Sequence, residues 1–212
     1  MILGIDASNI RGGGGITHLV ELLDSADPKK YNFNKVILWA SSETLKHVKK
    51  KSWLIKQNEE YLDKNLLYRS FWQWKKLGKL LNKENCNLLF VPGGSFTTSF
   101  RPIVSMNQNL LPFELREIFR YGISLSTIKF LLLRLTQSYS FKTSNGIIFL
   151  SHHSQKVVSK KIGRYDGEKV IIPHGLSKRF FLQPELRKSD NSNKVSKLLK
   201  IIYVSSVEPY KH

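Results

Sequence analysis

Short apolar runs recur along this chain at 2–5, 35–40, 88–91, 103–106, 146–150, 169–172 and 200–204. Between several of them, apolar residues fall at three- and four-residue spacing, at 17–24, 43–50, 71–81, 115–140 and 154–162. A run too short for a helix and apolar on both sides has to be covered on both faces. Helices returning between such strands supply that cover, and they leave the strands parallel. The alternation therefore predicts an α/β fold with a doubly wound, Rossmann-like parallel sheet. Ligands of such sheets bind beyond the carboxyl ends of the strands. Function is expected in the loops at 6–15, 92–101, 107–114, 151–153 and 173–176.

The first of these loops ends in the glycines at 12–15, directly before a helical pattern of Ile16, Leu19, Val20 and Leu23. A bare glycine turn lets a ligand reach the backbone. It also aims unpaired N–H groups and the positive end of the helix dipole at an anion, usually a phosphate. A plain surface turn uses the same residues. Two sharper patterns fail. His18 stands where Gly-x-Gly-x-x-Gly needs its last glycine, and Ser41 and Ser42 follow the second strand where a ribose-binding acid would stand. No Gly-Lys-Ser/Thr follows either, so a P-loop is excluded. The other loops offer Ser95 behind Pro92, Gly93 and Gly94, then Asn107, Gln108, Asn109 and Glu114, then Ser151 to Ser154 with two histidines between, then His174 before Gly175. Hydroxyls, amides and glycines suit polyols and phosphates, although each loop alone has a structural explanation as a cap or turn.

Arginine and lysine total 34 against 16 acids, a formal charge of +18, which attracts nucleic acid, anionic lipid or phosphorylated substrates without choosing among them. The stretch 116–142 carries an apolar stripe of Ile118, Tyr121, Leu125, Ile128, Leu132, Leu135 and Tyr139 among bases. It reads as a core helix with a solvated basic back, or as an interfacial helix against an anionic membrane surface. Phe71, Trp72 and Trp74 with their lysines allow the same two readings, and also base stacking. With the bases dispersed and no nucleic-acid motif present, nucleic acid is set aside as a partner. No run is long and apolar enough to cross a membrane, and the N-terminus opens on a strand rather than a signal peptide. The single cysteine, Cys86, reads as a buried thiol near a strand and fits a reducing cytoplasm. Adjacent His152 and His153 diverge on any regular backbone and have no partner at ligand spacing, so no metal site is expected. The stretch around Ser95 lacks the closing glycine of a hydrolase elbow.

From 183 the composition turns polar, and an apolar run resumes at 200. The organisation expected is one domain over 1–182, a linker over 183–199 and, over 200–212, the first strand of a second domain that the sequence leaves truncated.

In order, the glycines at 12–15, Val91 to Gly94, Gln108 to Glu114, Ile148 to Ser151, Ile172 to Gly175 with Phe180 or Phe181, and Tyr203 to Lys211 resemble the retaining GT-B glycosyltransferases of the family-4 type. The resemblance implies the N-terminal, acceptor-side half of a GT-B enzyme. Such an enzyme moves a sugar from a nucleotide sugar to a saccharide or lipid-linked saccharide with retention and without metal or cofactor. On that resemblance Gly13, Gly14, Gly15 and Lys211 meet the donor, and Ser95, Glu114 and His174 the acceptor. Asn107, Gln108 and Asn109 are the candidates for the catalytic face, where relatives often place a histidine. Ser206 stands where relatives carry an arginine, and their paired glutamates lie beyond this sequence, so the chain alone is expected to be inactive. The resemblance also implies a cytoplasmic protein of surface polysaccharide or glycolipid assembly, peripheral on the inner membrane face. The alternative is a non-catalytic or split-enzyme binding domain of the same fold, and after it a basic nucleic-acid-binding protein.

Overall fold

A computed structural model describes residues 1–176 together with Phe181 and Ile202. By its contacts the chain divides after His174, with Met1–His174 as one unit and Gly175–His212 as the other. The expected linker at 183–199, the strand at 200–204 apart from Ile202, the domain end at 182, Phe180, Ser206 and Lys211 lie outside the described residues.

The elements run β1 (Ile2–Asp6), α1 (Gly13–Ser25), β2 (Lys35–Trp39), α2 (Ser42–His47), β3 (Leu54–Gln57), α3 (Glu60–Asp63) and α4 (Leu66–Trp72). A π turn (Gln73–Leu77) joins α4 to α5 (Gly78–Lys83), followed by β4 (Leu88–Val91) and β5 (Ile103–Asn107). Then come α6 (Leu115–Phe119), α7 (Leu125–Thr143), β6 (Gly146–Phe149), α8 (His152–Ile162) and β7 (Glu168–Ile171). The strands form one seven-stranded sheet in the order β3-β2-β1-β4-β5-β6-β7, and every pairing is parallel. This is the doubly wound α/β architecture that the alternation of runs predicts. β3 is the strand that pattern misses. Only Leu54 and Ile55 are apolar before Lys56 and Gln57, because an edge strand needs no continuous apolar run.

Helices cover both faces. Leu19 and Leu23 of α1 pack with Ile5, Val36 and Leu38 on one side. Trp72, Leu77 and Leu81 pack with Ile37, Trp39, Leu89 and Ile103 on the other. Gly4 allows that second contact: a Cβ there would lie 2.5 Å from Leu81 and 3.2 Å from Trp39. The register Leu89↔Ile103, Val91↔Ser105 and Ser105↔Ile147 carries this second face across to Phe141, Val158 and Ile162 of α7 and α8. Cys86 is buried as expected, and burial pushes its thiol up to about 11.

The stretch 115–140 departs from expectation twice. It is two helices, because Gly122 turns left-handed at φ 62° and Ser124 caps α7, its hydroxyl accepting from Thr127 N at 3.3 Å. Ile118 of α6 is buried, but the part of the apolar stripe on α7 faces outward, with Leu125 85% and Leu135 61% exposed, so the core-helix reading fails for α7. Thr127, Gln137, Ser140 and Phe141 face inward instead. The reason lies beneath α7. Its last turns cover the loop after β4, whose backbone polar groups need partners, and Ser140 Oγ accepts from Phe96 N and donates to Phe96 O.

Candidate functional site

From β1 the chain winds outward through β2 to β3, then crosses to β4 on the far side of β1. Loops 7–12 and 92–98 therefore leave the sheet in opposite directions from adjacent strands, and a crevice forms where they part. The two loops touch at its floor: a Cβ on Gly93 would sit 3.2 Å from Asn9 Cβ. Gly94 has φ 78°, and a Cβ on it would sit 3.0 Å from Gln137 Nε2 and 3.1 Å from Met106 O, so any larger residue is strained there.

Loop 7–11 is held from every side before the glycines begin. Asp6, 2% exposed at the end of β1, accepts from Ser8 N at 3.0 Å and from Gln73 Nε2 at 2.6 Å. Gln73 Nε2 also lies 3.1 Å from Ser8 Oγ and 3.3 Å from Ser95 O, which ties the first loop to the second. Arg69 Nη1 donates to Ser8 O and Asn9 Oδ1, Arg11 donates to the carbonyls of Leu62, Asp63 and Lys64, and Thr44 Oγ1 donates to Ile10 O. Burial pushes the Asp6 carboxyl up from its ordinary value, while the Ser8 and Gln73 hydrogen bonds and the Arg69 charge oppose that rise. Sequence reasoning missed this tie. Its one visible signal was Gln73, an amide between two tryptophans. The π turn starting at Gln73 sets the helix so that Trp72 and Gln73 turn inward and Trp74 outward.

The glycines follow this fixed loop. Gly12 is the extended N-cap of α1, no side chain caps the helix, and no acid stands in its first turn. Gly13 is left-handed at φ 56°, and Gly12, Gly13 and Gly14 would each present a Cβ to open space. The first N–H groups of α1 are thus bare of side chains at the carboxyl edge of the sheet. Ser41, which stands where a dinucleotide fold needs its acid, caps α2 by accepting from Thr44 N.

Of the three catalytic-face candidates, Gln108 is the one brought to the glycines. Its Oε1 would lie 3.7 Å from a Cβ on Gly15. Asn107 is buried and donates to Asn109 O, and Asn109 Oδ1 accepts from Leu111 N, so both shape their own turn. His174 packs edge-on against His18 of α1, with 4.6 Å between ring centroids. His18 Nε2 is buried without a partner, and burial, then the neighbouring His174, holds His18 below its ordinary value. Glu114 meets His153 Nε2 at 3.2 Å, joining the loops after β5 and β6. Ser95 does not reach the crevice, because its hydroxyl is enclosed and unpartnered. Lys211 is outside the described residues. A polar hollow of about 440 Å³ lined by Asn145, Arg164, Asp166 and Glu168 opens at the opposite, amino edge of the sheet and takes no part in this arrangement.

No protein-family model matches the chain, and no curated protein matches it. The grouping of Gly12 to Gly15, Gln108, His18 and His174 therefore stands on its geometry. It offers bare amides to an anion, an amide side chain to hydroxyls, and imidazoles at the margin.

Proposed function

We propose that this chain is the acceptor-side half of a retaining GT-B glycosyltransferase. The reaction moves a sugar from a nucleotide sugar to a saccharide or lipid-linked saccharide. The observation that carries the reading is the uncapped glycine start of α1 beside the β1–β4 crevice, with Gln108 against it. Bare N–H groups and a helix dipole stabilise a leaving diphosphate without a metal. The reading assigns Gly13, Gly14 and Gly15 to the donor's phosphates and sugar, Gln108 to sugar hydroxyls, and Glu114 and His174 to the acceptor side. It also assigns Lys211 to the donor, with the nucleotide pocket itself belonging to the second domain that the resemblance implies. The work is assigned to the cytoplasmic side of the membrane, in assembly of surface polysaccharide or glycolipid.

One observation favours the alternative of a binding domain. Gln108, the residue beside the glycines, is an amide and moves no proton at neutral pH. Two assays separate the readings. In the first, the 212-residue chain is titrated with saccharides and polyprenyl-linked saccharides. In the second, the full-length gene product is screened for release of nucleoside diphosphate from a panel of nucleotide sugars. Diphosphate release that depends on an acceptor supports the transferase. Saccharide binding with no release from any donor supports the binding domain. Neither binding nor release removes both.

A further inference from the structure

α7 exposes the side that its sequence makes apolar. Leu125, Ile128, Leu132, Leu135 and Tyr139 form one outward stripe, and each is more than half exposed. At the amino end of that stripe an apolar cavity of about 380 Å³ is lined by Phe119, Gly122, Ile123, Ser124, Thr127 and Ile128. A contiguous apolar patch of this kind marks a docking surface rather than ordinary scattered exposure.

Charge selects the occupant. No Asp or Glu stands between Glu117 and Asp166, while lysines and arginines recur throughout that interval. Lys129 and Lys142, both exposed, flank the stripe along α7. A second copy of this chain would bring one +18 molecule against another across a basic surface, which Coulomb repulsion opposes. An apolar helix face with bases at its margins and no acids matches a bilayer with anionic headgroups: the side chains enter the acyl boundary and the lysines meet the phosphates. No helix among the described residues is long and apolar enough to cross a membrane, so the contact is lateral. The geometry points to docking of the outer face of α7 on an anionic lipid bilayer, with the cavity at Phe119 and Ile123 receiving acyl chain. α7 starts after the loops that follow β5 and returns to the start of β6, so its amino end, with the cavity, lies at the carboxyl edge of the sheet. The inference does not depend on the transferase reading.

The test is sedimentation of the 212-residue chain with vesicles of phosphatidylglycerol and phosphatidylcholine, or of phosphatidylcholine alone, at low and high salt. A chain this basic meets anionic vesicles through charge alone, so the deciding variant leaves charge untouched: Ile128→Ser, Leu132→Ser and Leu135→Ser together. The expected result is at least about a tenfold loss of partitioning to the anionic vesicles, with the melting temperature retained because these side chains are exposed. Binding unchanged by the triple variant overturns the inference, since the stripe would then be idle. Salt-resistant self-association, abolished by the triple variant while native chains ignore vesicles, also overturns it in favour of a second copy. Should the triple variant fold poorly, a Leu132→Cys chain carrying an environment-sensitive dye decides the question. Its emission should rise on anionic vesicles, while a Leu22→Cys label on the opposite face should stay unchanged. Equal responses at the two positions overturn the inference. Cys86 is buried, so each introduced thiol labels selectively.

Discussion

Replacing Gly14 by Ala separates the structural use of the glycine run from its use toward a ligand. Gly14 sits in the first turn of α1, its φ is not in the left-handed region, and an added Cβ meets nothing within 4 Å. The methyl group therefore costs no packing. It removes backbone freedom from the unfolded chain, which stabilises by about 0.4–1 kcal/mol where the native conformation suits alanine. For a domain of this size that raises the melting temperature by roughly 1–4 °C. Gly13→Ala should act in the opposite direction, because at φ 56° a Cβ crowds the backbone at a cost of about 1–2 kcal/mol. Toward an anion the two changes should agree in sign, since either methyl group covers the bare amides. The assay pairs thermal unfolding with a titration of pyrophosphate against chain labelled with ¹⁵N at glycine. The amide signals of Gly13 to Gly15 should shift in the native chain, and both variants should bind at least about tenfold more weakly, a loss of about 1.4 kcal/mol. Gly14→Ala melting below the native chain would refute the open-space geometry. A variant that melts higher and still binds pyrophosphate fully would refute the phosphate-facing role.

Asp6→Asn tests the buried carboxyl at the end of β1. The folded-state value of Asp6 is raised above its ordinary one, so the native state holds its proton more tightly and stability is lost as pH rises through that interval. The amide variant should lack this loss. Its stability relative to the native chain, from urea unfolding, should improve from about pH 4 toward neutrality on top of any constant offset. A difference independent of pH would show that Asp6 does not titrate as its burial requires. Cys86, with its thiol near 11, should resist iodoacetamide at pH 8 in the folded chain and react in urea. Equal rates in the two states would mean that the thiol is reached in the native fold.

The sheet was legible because β1, β2, β4, β5 and β6 are covered on both faces, which favours runs that are mostly apolar and leaves buried polar residues such as Asp6, Ser105 and Asn107 as exceptions. β3 escaped because its outer edge is free, so Lys56 and Gln57 satisfy the fold as well as valines would. Loop positions followed from the parallel topology alone, which is why Gly12 to Gly15, Gln108 and His174 do fall at the carboxyl edge. Their contents were less legible. Nothing in the chain announces that the Ser95 hydroxyl is enclosed, or that Asn107 and Asn109 are consumed by their own turn, because these outcomes depend on tertiary neighbours. The orientation of α7 is the clearest miss. An apolar stripe normally faces the core, but here the surface beneath the helix includes polar loop backbone, and Ser140 supplies partners to Phe96 N and O.

The strand order has a kinetic side as well. β1, at the very start of the chain, lies between β2 and β4, and its second neighbour is not made until Leu88–Val91. During synthesis Leu3 and Ile5 can pair with β2 as soon as that strand emerges. The other edge of β1 stays open until the crossover carrying Trp72, Leu77 and Leu81 has been translated and has closed over Gly4. A nascent chain stalled before that point displays an unpaired hydrophobic edge, the form most prone to join another chain. Speed through this crossover, more than final stability, should set how much of the protein reaches the folded state in a cell.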